Sequence, residues 1–83
     1  MTFEVCSVFD SATDSYGRPF LVPHVGQAVR SFTDEARNPE SDIAKHPGDF
    51  TLFHLCSFDD RFGRFTEDAV PRVLIRAADI IKP

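Results

Sequence analysis

The sequence predicts an α+β domain, an antiparallel-rich sheet of about four strands packed on one amphipathic helix in a ββαββ-like order. Three observations predict it. One stretch, Val25 to Ala36, carries apolar residues at helical spacing. On either side of it lie apolar runs of strand length, Phe3 to Asp10 and Phe50 to Asp59, each ending at a polar turn. A short motif also recurs across the two halves: Cys6-Ser7-Val8-Phe9-Asp10 before Gly17-Arg18-Pro19-Phe20, and Cys56-Ser57-Phe58-Asp59 before Gly63-Arg64-Phe65. Two similar hairpins flanking a helix would follow from an old duplication, although matches this short also arise by chance. With 83 residues there is room for one domain, 1–83, and no more.

In chain order, Phe3, Val5 and Phe9 fall on one face of the first strand and Cys6 and Val8 on the other. Ser11 to Gly17 is a polar turn. Phe20-Leu21-Val22 sits between Pro19 and Pro23, which confine it to a short edge strand because proline cannot donate into a ladder. Val25, Ala28, Val29, Phe32 and Ala36 then form the apolar stripe of a helix of three to four turns. Asn38-Pro39 stops that helix. Glu40 to Asp49 is a polar loop in which Ser41 to Lys45 has the makings of a helical turn.

Pro47-Gly48 leads into the densest apolar run, Phe50 to Asp59. Regular alternation places Leu52, Cys56 and Phe58 on one side and Phe53 and Leu55 on the other. Neither side suits water, so this strand is expected to be central and covered on both faces. Asp59 to Arg64 turns the chain back into Phe65-Thr66-Glu67 as a hairpin does. Pro71 interrupts, and Val73-Leu74-Ile75 offers a last strand. Val73, Ala77 and Ile80 also fit a helical period, and a strand followed by a turn of helix is the reading adopted.

The net charge is −4, so the chain as a whole is not a polycation. Nucleic-acid affinity draws heavily on Lys and Arg, and here it would need basic residues clustered on one surface or binding carried by stacking. Cys6 and Cys56 are too few for a disulfide framework and read as buried thiols. No signal peptide and no membrane-spanning run is apparent, so the protein is expected to stay in the cytoplasm where it is made. A core this thin favours a homodimer or higher homo-oligomer, joined through the sheet face that one helix cannot cover.

The feature most suggestive of function is the interleaving of rings and arginines at the two turns. Tyr16 and Arg18 in the first, and Arg61, Phe62 and Arg64 in the second, are the candidate nucleic-acid contacts. Rings stack on unpaired bases, guanidinium groups meet phosphates, and glycine lets a backbone approach. The plainer account is that Gly17 and Gly63 only make turns, Phe20 and Phe65 re-enter the core, and the arginines pair with Asp14, Asp59 or Asp60. His54 and Cys56, two apart on a strand, would share a face and make half a metal site if Cys6 and His24 or His46 approached. No close-spaced ligand pair supports it, and no metal or cofactor is expected. Neither a nucleophile motif nor a phosphate-binding glycine loop is present, and the carboxylates are dispersed, so the chain is not expected to be an enzyme.

The order Phe9-Asp10, Gly17-Arg18-Pro19-Phe20-Leu21-Val22-Pro23, Ala28-Val29-Arg30-Ser31-Phe32, His46-Pro47-Gly48-Asp49-Phe50-Thr51-Leu52-Phe53 and Phe58-Asp59 resembles the small non-structural protein of gokushovirus-type microviruses, tailless bacteriophages with single-stranded DNA. The resemblance reaches to about Phe65 and is most specific from Lys45 to Phe53. It implies a protein made in the cytoplasm of the infected bacterium and absent, or nearly so, from the mature capsid. It further implies a part in viral single-stranded DNA synthesis or packaging, with a DNA-binding role. It carries no catalytic or DNA-contacting residues across, so the contacts named above rest on residue chemistry. The expectation is a non-catalytic accessory protein that binds single-stranded DNA. The alternative is a module that binds a viral or host replication protein, or a procapsid protein, without touching nucleic acid.

Overall fold

In the computed structural model, which describes residues 1–81, the chain runs β1 (Thr2–Asp10), β2 (Ser15–Tyr16), β3 (Phe20–Val22), α1 (Val25–Arg37), α2 (Asp42–Lys45), a 3-10 turn (Pro47–Asp49), β4 (Phe50–Asp59), β5 (Arg64–Phe65), β6 (Arg72–Arg76) and α3 (Ala77–Ile80). The α+β class holds, and the sheet among the described residues has six strands where about four were expected. The surplus comes from its edges. Long antiparallel strands β1 and β4 form the middle; β2 and β3 share the outer edge of β1, and β5 and β6 share that of β4. Each edge column is broken by a polar or proline-bearing stretch, 17–19 on one side and 66–71 on the other, where a ladder cannot continue.

The repeat seen in the sequence is a repeat of structure. Each half is a long strand, a two-residue return, a second edge strand and a helix. Both hairpins close the same way. Asp10 accepts from the Ala12 amide and Asp59 from the Arg61 amide, at 3.0 and 2.9 Å. Four residues on, Asp14 and Gly63 both take positive φ, 55° and 65°. Turns with an aspartate accepting two residues ahead and a left-handed residue after them are what Asp and Gly supply most readily. Because β1 and β4 are antiparallel, the two hairpins lie at opposite ends of the sheet.

All three helices lie on one face. The stripe anticipated for α1 is the one buried: Ala28, Phe32 and Ala36 pack with Cys6 of β1, Leu52 of β4 and Ala77 of α3. Two alanines flanking one phenylalanine let the helix come close to the sheet while the ring fills the gap, and a buried ring contributes about 2 kcal/mol. Asn38 ends α1 as expected. Ser41, itself buried, caps α2 by accepting from the Ile43 amide at 3.1 Å, and α2 is the helical turn that the sequence suggested within the polar loop.

Residue faces in β4 differ from regular alternation. Cys56 is opposite Val5 and His54 is opposite Cys6, so Leu55 is an extra residue, a bulge. Beyond it every side chain changes face. Cys56 and Phe58 therefore lie with Phe53, not with Leu52, and His54 and Cys56 do not share a face. The half metal site drawn from their spacing is not formed. β4 is central, flanked on both edges, but helices cover only the side holding Leu52. On the other side Val5 and Ser7 are buried, while Phe3, Phe9, Phe53 and Phe58 are half-buried.

Candidate nucleic-acid interface

The hairpin joining β4 to β5 projects from the sheet, and every residue from Asp60 to Val70 is exposed. At its tip the Arg61 guanidinium sits 5.6 Å from the centre of the Phe62 ring, and Phe62 is 68% exposed. Arg64, opposite Asp59 in the ladder, is exposed beside it. The nearby carboxylates have other partners: Asp59 takes the Arg61 amide, and Asp60 takes the N-terminal amine at 2.8 Å. Among the described residues, Arg18, Arg61 and Arg64 form no ion pair, contrary to the plainer account of them.

Tyr16 and Arg18 belong to the other hairpin. The β1–β4 ladder separates the two groups by nine paired positions, about 27 Å at the rise of an extended strand. They do not form one surface. Tyr16 lies on the sheet rather than at the tip, packed against Phe9 (centroids 4.9 Å apart) and Phe53 (5.4 Å). Beside it a depression of about 530 Å³ is lined by Asp10, Glu35 and Asp42. Those carboxylates disfavour a phosphate at this end, leaving the Arg61–Arg64 tip as the better-suited half of the candidate site.

The sequence reading expected the sheet face that one helix cannot cover to join subunits, but it did not name the residues that line it. The ladder pairs put Phe3, Val5, Phe9, Phe53, Cys56 and Phe58 there, with Tyr16, Leu21, Phe65 and Val73 on the edge strands around them. Phe58 and Phe65 repeat the Phe9–Tyr16 contact at the opposite end, again at 4.9 Å. The signal was present in the alternation of Phe3, Val5 and Phe9. The bulge hid its continuation in β4.

A polar group also escaped notice. On the helix side of the sheet, away from the buried cluster, the Ser57 hydroxyl donates to Glu4 Oε1 at 2.7 Å and His54 Nε2 lies 2.7 Å from the same oxygen. Glu4 is opposite Ser57 in the ladder, which brings together residues 53 positions apart. The Ser57 bond, and next the His54 bond, hold the Glu4 carboxyl below its ordinary 4.5. With Ser57 and His54 both turned to the carboxylate, the group is a satisfied polar network and not a nucleophile with a base behind it. Burial, and secondarily the charge of Glu4, raises the Cys6 thiol above 9.0, which leaves it protonated and unreactive. No disulfide links Cys6 and Cys56. Among the described residues no cluster has the ligands for a metal ion, and no helix is long and apolar enough to cross a membrane.

Residues 3–80 match the family model described as Phage ORF5 protein. No curated protein and no solved structure matches the chain.

Proposed function

We propose that this chain, which belongs to the Phage ORF5 protein family, is a phage accessory protein that binds single-stranded DNA during viral DNA synthesis or packaging in the host cytoplasm. It acts by stoichiometric binding, without turnover. One observation carries the reading: at the exposed hairpin tip a guanidinium and a ring, Arg61 and Phe62, are stacked 5.6 Å apart with the neighbouring carboxylates engaged elsewhere. A base laid on the free side of Phe62 meets a π-face, and its phosphates meet Arg61 and Arg64. The net charge of −4 limits how many phosphates such a tip can hold, so binding is weak and salt-sensitive.

A fluorescence-anisotropy titration with a labelled single-stranded oligonucleotide at several salt concentrations tests this. Saturable binding at low salt that weakens as salt rises is expected. A flat titration at low salt overturns it. In that event the second reading takes its place, a module that binds a replication or procapsid protein, and the uncovered apolar sheet face is the observation that favours it.

A further inference from the structure

We infer that the helix-free sheet face is the interface of a homodimer, with a second copy of this chain packed sheet against sheet. This inference is independent of the DNA reading, because the Arg61–Phe62 tip lies beyond the end of the face. The exposed apolar residues are distributed with a pattern. Each of the four edge strands places one on this face: Tyr16 of β2 is 42% exposed, Leu21 of β3 47%, Phe65 of β5 58% and Val73 of β6 44%. They frame the central rings at four corners, two from each half of the internal repeat.

Charge decides between occupants. Every carboxylate carried by a strand, Glu4, Asp10 and Asp59, falls on the helix side by its ladder partner, and none falls on the open face. Of the strand arginines only Arg76, opposite Thr51, is on the open face; Arg64 and Arg72 are opposite Asp59 and His54 on the helix side. One cation does not track a phosphate backbone, so this face is not built for a nucleic acid. A nearly neutral face on a chain of net charge −4 suits a partner that is equally neutral and apolar, and a second copy presents the same surface. Two such chains can approach with their negative charge turned outward.

The size is sufficient. Strands of about 30 Å, four abreast at about 4.8 Å, give a flat projection of roughly 570 Å² per copy and about 1,150 Å² per pair. Pleating and protruding rings raise the accessible area above the projection, into the range of about 1,200–2,000 Å² for specific interfaces. Face-to-face sheets about 10 Å apart would bury the half-exposed rings of both copies in one layer.

Sedimentation velocity of the full chain and of the double variant Leu21→Glu/Val73→Glu tests the inference, with circular dichroism to show that both fold. The unaltered chain is expected to sediment with twice its 9.3 kDa mass at about 100 µM. The variant, altered only where side chains are exposed, should weaken association by about a hundredfold or more. Cys56, half-buried on the open face, gives a second readout, since Cys6 is wholly buried. Its reaction with a thiol reagent should slow about tenfold between dilute and concentrated protein, and should not depend on concentration in the variant. A 9.3 kDa species at every concentration overturns the inference, as does a dimer that the double variant leaves intact. Protection of Cys56 by a single-stranded oligonucleotide but not by concentration also overturns it, by giving the face to nucleic acid.

Discussion

His54 and Cys56, two positions apart in β4, lie on opposite faces of the sheet because Leu55 between them is an extra residue opposite the Val5–Cys6 step. The bulge lets one strand send Leu52 into the helix-side core and three residues, Phe53, Cys56 and Phe58, to the open face. Deleting Leu55 would make His54 and Cys56 neighbours on opposite faces, as their ladder partners Cys6 and Val5 already are, so the ladder becomes regular and every β4 side chain keeps its face. A loss of under about 2 kcal/mol, a Tm lower by less than roughly 16 °C, is expected from thermal unfolding. Leu55→Ala, which keeps the residue count, should cost under about 2 kcal/mol.

Phe32 is the one large side chain that α1 buries against the sheet. Phe32→Ala should lower unfolding free energy by about 3–5 kcal/mol in urea, most of what a domain this small possesses. Arg30→Ala, on the exposed side of the same helix, should change it by less than about 0.5 kcal/mol.

Two glycine-to-alanine substitutions should have opposite signs. At Gly63, with φ of +65°, a Cβ meets open space but the backbone is one that L-residues resist, so Gly63→Ala should cost about 1 kcal/mol. At Gly26, in the first turn of α1, a Cβ also meets nothing and the backbone is helical. Gly26→Ala should stabilise by about 0.5 kcal/mol in the same denaturation experiment.

Glu4 makes stability depend on pH at the acid end. Its carboxyl is held below its unfolded value, so its contribution is complete above about pH 4.5 and disappears as pH falls through the lower folded value. The stability difference between the unaltered chain and Glu4→Gln should therefore be largest near neutrality and shrink below pH 4.5. An NMR titration of Glu4 in Ser57→Ala should show the carboxyl moving back toward its ordinary value.

At the hairpin tip, binding and stability should separate. Phe62→Ala removes an exposed ring and should leave the unfolding midpoint unchanged, while oligonucleotide affinity falls by about 1–3 kcal/mol. Arg61→Ala should flatten the salt dependence by about 0.7 in log–log slope. Arg18→Ala should have a smaller effect than Arg61→Ala, because that hairpin borders Asp10, Glu35 and Asp42.

What the residues determined alone was local. Apolar period, prolines and turn residues were enough to mark strands at Phe3–Asp10 and Phe50–Asp59, the edge strand between Pro19 and Pro23, the stripe of α1 and its stop at Asn38. These depend on neighbours a few positions away. Tertiary structure decided the rest. Nothing around Leu55 announces a bulge, since no glycine or proline is there, and only pairing with a strand some fifty residues earlier in sequence fixes the register. That register separated His54 from Cys56, joined Glu4 to Ser57, and gathered apolar side chains from six strands onto one face. The antiparallel course of β1 and β4 carried Tyr16 and Arg18 to one end and Arg61, Phe62 and Arg64 to the other, a separation that two similar turns in a sequence cannot reveal. Spacing along a chain sets what a segment prefers, while long-range pairing sets what it meets.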